Sequence, residues 1–313
     1  MWGVRGGTKE IFMKKNYIFA LVTVLIWATM ATVVKLVLFD IPNLQALAVS
    51  GVFAFLFLLL LNVKTGKIKE MKRYSGKEYA AMCGLGFLGL FLYSALYYYG
   101  IGQLSSQEAC ILNYLWPMMI VLFSCLILKE RMTVMKGVAM LCSFLGIVIL
   151  SMGNGDAAGG NTTLGMVACV VAAACYGLFS VLNKKADFDQ NITMMVIWFT
   201  VAVCSFAVGP ITEEWVPIRG MQWLGILWLG VVTDAVAYLL WALALKGVKD
   251  TAKIANLAYL TPFLSVLISA IFLKEKIKWQ ALIALVLIIG GILLQNVCER
   301  KRRNRIGRYY SVK

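Results

Sequence analysis

The chain has 313 residues, of which 61% are hydrophobic and only 14% charged, whereas a soluble domain usually carries about 25% charged residues. This composition excludes a soluble fold, which could not bury so much apolar surface. The net charge of +15 does not indicate nucleic-acid binding, because the basic residues lie in short segments between apolar runs and form no basic domain.

Residues 1–12 (MWGVRGGTKEIF) are polar and unpatterned, while Met13 begins a string that is more typical of a native start. An upstream start codon and added residues are both open explanations. The first apolar run is too long for a signal-peptide core and has no convincing cleavage site, so we interpret it as a mature membrane span.

Apolar runs of about 20 residues, each long enough to cross roughly 30 Å of hydrocarbon, recur along the whole chain. Turn-forming or charged residues separate them. The sequence thus predicts an all-α integral membrane protein with ten transmembrane helices. The predicted spans are 17–39, 44–63, 79–101, 108–128, 134–152, 164–183, 193–212, 221–245, 254–273 and 278–298.

The distribution of basic residues predicts a plasma-membrane protein with both termini in the cytoplasm. Most of the 30 lysines and arginines fall in segments that would be cytoplasmic in this orientation, as basic loop residues usually are. The segment 274–278, with three lysines, would lie outside and is the exception.

An internal repeat relates the two halves of the chain. The string Tyr-Leu-x-Pro at 114–117 recurs at 259–262, and each is followed at the same distance by Lys-Glu and a basic residue. Because each half would hold five spans, the second half would be inverted in the membrane, with a substrate site near the midplane between them. We place the first repeat at 13–155, the second at 160–298 and a basic cytoplasmic tail at 299–313. Inversion also explains why lysines appear at 274–278.

The two repeated prolines, Pro117 and Pro262, are candidate markers of the site. A proline inside a helix cannot bond the carbonyl four residues earlier, which here frees the carbonyls of Asn113 and Ala258. These could accept hydrogen bonds from a substrate ammonium group, or they could be satisfied by neighbouring helices at simple kinks.

Aromatic residues cluster at the depth of the prolines, which suits an apolar or aromatic ligand; packing and an interfacial belt are the alternatives. They are Trp27, Tyr93, Tyr97, Tyr98, Tyr114, Trp116, Tyr176, Tyr238, Trp241 and Tyr259.

Charged residues inside the predicted spans are few, and Asp234 is the most central. A carboxylate at this depth is costly and marks a functional hypothesis: it could bind a proton, an ion or a substrate ammonium, or make a structural hydrogen bond. Glu108 is interpreted as a helix-start carboxylate, and Lys35 and Lys184 as side chains that extend to the membrane surface.

The sequence lacks the motifs of metal sites, dinucleotide binding and ATP hydrolysis. The eight cysteines form no CxxC pair and the chain has no histidine, so we expect reduced packing cysteines and no histidine-ligated metal site. The GxGxxG string at 84–89 lies in an apolar span and indicates close helix packing rather than dinucleotide binding. No P-loop is present, and we expect no cofactor.

These features resemble the EamA-type drug/metabolite transporters over nearly all of residues 13–298. The string Asn-Tyr-Leu-Trp-Pro at 113–117 is similar to the aromatic amino-acid exporter (YddG-like) branch, with further echoes at 27–30, 183–186, 237–241 and 259–262. The resemblance implies ten helices, cytoplasmic termini, a central cavity and export of amino acids or similar metabolites. Asp234 departs from the apolar residue expected there in that branch.

We therefore predict a secondary transporter that exports hydrophobic or aromatic amino acids, or related metabolites, by alternating access, with proton coupling left open. A multidrug exporter is the alternative within the superfamily, and a membrane enzyme is the alternative from another class. The predicted substrate-binding residues are Trp27, Tyr93, Tyr97, Asn113, Tyr114, Trp116, Pro117, Tyr176, Asp234, Tyr238, Trp241, Tyr259 and Pro262.

Overall fold

The structure is a computed structural model, and its helices follow the apolar runs of the sequence. It describes residues 4–37, 40–127, 129, 134–151, 161–186, 188–245, 256–291, 293–294 and 297. The predicted basic tail at 299–313 and the outer ends of several predicted spans lie outside these residues.

The described residues form helices and no β-strands. We label the helices α1–α10; a short 3-10 helix, Lys67–Arg73, lies between α2 and α3. The bounds are α1 Val4–Val37, α2 Asn43–Lys64, α3 Gly76–Gln103, α4 Ser106–Ile127, α5 Val134–Ser151, α6 Thr162–Ala186, α7 Gln190–Thr212, α8 222–245, α9 256–272 and α10 Trp279–Gly291.

Seven stretches in α1–α4 and α6–α8 are long and apolar enough to cross a membrane, and α9 and α10 contain shorter apolar helices. Large apolar side chains on these helices face outward: Leu60 is 61% exposed and Ile271 is 70% exposed. Such an apolar outer surface is stable in lipid rather than in water. The all-helical membrane class is confirmed, while the ten-helix inverted arrangement stays a prediction.

Local sequence signals define several helix starts. Ser75 and Glu78 form a reciprocal capping box at the start of α3, and Ser105 and Glu108 form another at the start of α4. Each box satisfies amides that the first helical turn leaves without partners. The interpretation of Glu108 as a helix-start carboxylate is thus confirmed.

Helix α1 begins at Val4, well before the first predicted membrane span at residue 17. Residues 4–16 contain no proline, and Glu10 precedes Lys14 by four residues, a spacing that favours a helix. Polarity marked the end of the membrane span but not the end of the helix.

The helices pack around a centre formed by α1, α3, α4, α6, α8 and α9. Helix α2 lies along α7, α3 and α4 both pack on α6, and α1 lies between α8 and α9. Within the GxGxxG string, a Cβ on Gly86 would lie 3.1 Å from Ile197 Cα, and a Cβ on Gly89 would overlap Phe179. Close helix packing therefore explains these two glycines, whereas Gly84 faces open space.

Three local features recur at matching places in the two halves. Helices α3 and α8 each contain a π-helical segment, Phe87–Leu92 and Trp228–Val236. Pro117 and Pro262 are each the second residue of an α-helical segment, Trp116–Ile127 within α4 and Thr261–Phe272 within α9, a position that proline favours. Lys129 and Lys274 both have positive φ, at 56° and 55°. These correspondences agree with the repeat found in the sequence.

Candidate functional site

A small cavity of about 60 Å³ lies at the centre of the helices. Its lining includes nine of the residues predicted to bind substrate, drawn from α1, α3, α4, α6 and α8. These are Trp27, Tyr93, Tyr97, Asn113, Tyr114, Trp116, Tyr176, Asp234 and Tyr238.

Departures from α-helical geometry position three parts of this lining. Tyr93 follows the π-helical segment of α3, and Asp234 lies within that of α8. Helix α4 is interrupted at 114–115, between its segments Ser106–Asn113 and Trp116–Ile127. Such π segments are frequent at functional sites because they redirect side chains.

Hydrogen bonds orient the polar side chains of the small cavity. The Asn113 Nδ2 group donates to the Tyr93 hydroxyl at 3.1 Å. The Tyr114 hydroxyl donates to the carbonyl of Ala258 at 3.2 Å. The Ala258 carbonyl, which was expected to be free because of Pro262, therefore accepts a hydrogen bond from a neighbouring helix. This supports the alternative of a satisfied carbonyl over that of an acceptor for a substrate.

The aromatic residues form a connected wall around the small cavity. The Tyr176 ring lies 5.2 Å from Tyr93 and 5.4 Å from Trp116, between ring centroids. On the other side, Trp27 lies 5.4 Å from both Tyr238 and Trp241. Rings at these separations attract one another and provide flat apolar surface for a ligand.

Asp234 is the charged residue of this lining. It is 3% exposed, and its Oδ2 atom has no hydrogen-bond partner in the described residues. The Asn113 Oδ1 atom and the hydroxyl of Thr261 are likewise buried without a described partner. Buried polar atoms are normally bonded, so these unsatisfied atoms at one cavity indicate a place for a polar ligand.

A larger cavity of about 360 Å³ adjoins the small one and shares Tyr176, Asp234 and Tyr238 with it. It extends past Ser180 to the exposed Gln190, where α6 meets α7. We call this end of the molecule, where residues 64–76 and 183–190 lie, the basic end. The predicted site residue Trp241 lines this larger cavity.

At the opposite end, carboxylates bind the first amides of two helices. Glu275 accepts hydrogen bonds from Ser106 N at 2.9 Å and Gln107 N at 3.4 Å, at the start of α4. Glu213 accepts from Leu44 N at 2.9 Å, at the start of α2. A carboxylate at a helix N-terminus is stabilised by the helix dipole.

Two ion pairs join the same region. Lys35 lies 3.7 Å from Glu275, and Lys278 lies 3.8 Å from Glu108. Lys35 also donates to the Leu104 carbonyl at 2.6 Å, so it does not simply extend to the membrane surface as expected. We call this group of residues, which lines neither cavity, the closed end.

The remaining predicted site residues are not placed in the linings. Pro262 is buried but lines neither cavity. The side chains of Pro117, Tyr259 and Lys184 lie outside the described residues. The role of all thirteen residues in binding stays a prediction.

Several lining residues were not predicted from the sequence. They are isolated polar or small side chains in apolar helices, which carry no periodic signal: Ser94, Cys110, Thr233, Thr261, Ser180, Asn183 and Asn191. Of these, Asn183 falls in a string that marked the family resemblance.

Comparison with known proteins adds a family and a fold. The EamA-like transporter family matches twice, at residues 14–152 and 163–297. A solved crystal structure with 21% sequence identity has the same fold, with a TM-score of 0.66 over 92% of this chain and 98% of the other.

Individual relatives are distant in sequence. A protein of Ancylobacter novellus named aromatic amino acid exporter YddG is 27% identical, over 69% of this chain and 76% of the relative. An uncharacterized transporter of Archaeoglobus fulgidus is 28% identical over 90% of this chain and 98% of the relative. These relatives are named as transporters and not as enzymes.

Proposed function

Since the chain belongs to the EamA-like transporter family, we propose that it exports hydrophobic or aromatic amino acids, or related small metabolites, by alternating access. The observation that carries this proposal is the central cavity, where aromatic rings surround a buried carboxylate. Membrane transport of small molecules is the family's activity; the substrate class and the mechanism are the proposal.

The proposed architecture is ten transmembrane helices in two inverted repeats, 13–155 and 160–298, with both termini in the cytoplasm of a plasma-membrane protein. The π segments, prolines and positive-φ lysines that recur in the two halves support it. The basic end, which includes five lysines and arginines between residues 64 and 73, would face the cytoplasm.

The substrate would occupy the small cavity and the adjoining part of the larger one. Its ammonium group would lie against Asp234 and the Oδ1 atom of Asn113, whose buried oxygens have no described partner. Its side chain would lie among Tyr93, Trp116 and Tyr176, where the Tyr176 ring lies 5.2 Å from Tyr93 and 5.4 Å from Trp116. The name of the Ancylobacter novellus relative agrees with an aromatic substrate.

Alternating access would use the two ends of the molecule in turn. In the described state, the cavity extends to the basic end, while hydrogen bonds and ion pairs join the helices at the closed end. Release to the other side would require these contacts to separate and the basic end to close. Inverted-repeat transporters exchange their two states in this way.

The test is counterflow in liposomes with labelled phenylalanine, tryptophan, threonine and cysteine. We expect counterflow of at least phenylalanine or tryptophan, reduced about tenfold or more in Trp116→Ala because a large contact surface in the site is lost. Trp279→Ala is the matched control, since Trp279 is 63% exposed on the outer surface. Absence of counterflow with every amino acid would contradict the proposed substrate class.

Proton coupling through Asp234 is a second hypothesis, favoured by the burial of this carboxylate. The other titratable side chains that line its small cavity are tyrosines and Cys110, so Asp234 is the carboxylic acid of the described lining. Asp234→Asn is expected to abolish the pH dependence of net transport. A pH profile unchanged by this substitution would leave Asp234 without a role in coupling.

A further inference from the structure

The charge of the central cavity restricts the substrate more closely than its aromatic wall does. Asp234 lies on the π-helical segment Trp228–Val236 and contributes to both cavities. It is 3% exposed, and its Oδ2 atom has no described hydrogen-bond partner. A charged carboxylate buried in this way is stable only when a cation or several hydrogen-bond donors accompany it.

The described lining supplies no such cation. Neither cavity is lined by a lysine or an arginine in the part of the chain that the structure describes. Lys35 on α1 and Lys278, which directly precedes α10, are paired with Glu275 and Glu108 at the closed end. A ligand is therefore the natural source of the missing positive charge.

The neighbouring groups favour a cation as well. Asn113 directs its Nδ2 group to the Tyr93 hydroxyl, which leaves its Oδ1 atom as a buried acceptor without a described partner. The rings of Tyr93, Tyr176 and Trp116 lie in the same lining, and the faces of aromatic rings attract cations. Carboxylate, amide oxygen and ring faces together make an environment that binds ammonium groups.

The same lining is unfavourable for a carboxylate. In an α-amino acid, the carboxylate is attached to the carbon that bears the ammonium group, so an ammonium bound at Asp234 would bring a second negative charge beside it. Like charges at such separations repel strongly where water is excluded. No lysine or arginine in the described lining offsets this repulsion.

We propose that the site prefers a substrate with one protonated amine on an aromatic or apolar body and no carboxylate, such as an arylalkylamine. Asp234 would bind the ammonium group, and the aromatic wall would bind the ring. This inference rests on the proposed transport through the cavity and, of the proposed amino acids and related small metabolites, favours amines without a carboxylate.

Calorimetric titration of the purified full-length protein in detergent at pH 7 tests the preference without requiring transport. The probes are phenylethylamine, phenylalanine and 3-phenylpropionate, which share the ring and differ in charge. We expect phenylethylamine to bind at least tenfold more tightly than phenylalanine, and 3-phenylpropionate not to bind. Equal or tighter binding of phenylalanine would overturn the proposal, and this ranking needs no variant.

Two substitutions test the role of Asp234. Asp234→Asn is expected to weaken phenylethylamine binding at least tenfold, while Asp234→Glu, which keeps the charge, should stay within about threefold of the unaltered protein. Glu214→Gln is the matched control, because Glu214 is an exposed carboxylate distant from the lining. Unchanged amine binding in a folded Asp234→Asn protein would overturn the assignment.

The binding result and the transport result can be separated. The three probes could bind in the predicted order of affinity while no labelled amino acid or amine undergoes counterflow. The proposed transport would then be contradicted, and the proposed selectivity of the site would be supported. If phenylalanine undergoes counterflow and phenylethylamine neither binds nor competes, the selectivity fails and the transport function remains.

Discussion

The two ends of the molecule differ in how their polar groups are used. At the closed end, Glu213 and Glu275 bind helix amides, and two ion pairs join the segment between α9 and α10 to Lys35 of α1 and Glu108 of α4. At the basic end, Asn183 donates to Gln190, which donates to the Phe188 carbonyl, and both side chains line the larger cavity. Lys67 also pairs with Asp189 at the basic end, but there the larger cavity extends to the exposed Gln190, whereas neither cavity includes the residues of the closed end.

In the proposed alternating-access mechanism, the closed end would be the barrier to transport in this state. The contacts at the closed end are hydrogen bonds and ion pairs in which the lysine side chains are 36% exposed and the carboxylates are more buried. Water can replace such polar contacts when the helices separate. A closure made of apolar packing would be harder to open. The closed end therefore has the chemistry of a contact that opens and closes repeatedly.

Among the substitutions considered, Glu275→Gln should change the opening of the closed end most. The substitution keeps the size of the side chain but removes the charge that binds the Ser106 and Gln107 amides and Lys35. Hydrogen bonds to charged groups contribute roughly 1.5–3 kcal/mol, and about 1.4 kcal/mol changes an equilibrium tenfold. We expect at least a tenfold rise in opening at the closed end.

The measurement uses Ser180→Cys as a reporter in a protein whose eight native cysteines are replaced. Ser180 lines the larger cavity, and a membrane-impermeant thiol reagent is added at the face of the closed end. Glu214 is an exposed carboxylate at the same end, so Glu214→Gln is the control and should leave the labelling rate unchanged. Equal rates in Glu275→Gln and its parent would show that this carboxylate does not hold the closed end.

Substitution of Asp189, at the basic end, should lower the stability of the protein without changing access to the cavity from the closed end. It caps α7 by accepting from the amides of Asn191 and Ile192, and it pairs with Lys67 at 2.8 Å. Loss of a cap costs about 1 kcal/mol, so Asp189→Ala should lower Tm by about 2 °C. Asp189→Asn keeps a capping oxygen and should lower Tm less. Labelling at Ser180→Cys from the closed end should not change with either.

The effect of Asp189 also depends on pH. Burial raises the pKa of its carboxyl group, but hydrogen bonds from Lys67 and from the Ile192 and Asn191 amides outweigh burial and leave the pKa below its ordinary value. A lowered folded-state pKa means that the charge stabilises the fold above about pH 4. The Tm difference between Asp189→Asn and the unaltered protein should shrink as the pH falls below that value. A difference that is constant from pH 7 to pH 3 would contradict this role.

Much of the central lining could be predicted from the sequence, because its chemistry was conspicuous there. Tyr93, Trp116 and Asp234 are large or charged residues at the depth of repeated prolines, and all three line the small cavity. Thr233 and Thr261 could not be found, since single hydroxyls in apolar helices also occur wherever they bond their own backbone.

The closed end was predictable only in part. The position of Glu108 at a helix start was recognised from its own segment, because a capping box is local in sequence. Glu275 binds the amides of Ser106 and Gln107, which lie far from it in the chain. Such a contact depends on how helices pack, and no local pattern reveals it.

The most direct test of the central claim is the rate at which Ser180→Cys is labelled from each face of oriented membrane vesicles, with and without substrate. The account predicts labelling at least tenfold faster from the face of the basic end, and slower labelling there when phenylethylamine or phenylalanine saturates the cavity. Equal rates from both faces, or rates that no substrate changes, would contradict a central substrate cavity that opens at the basic end.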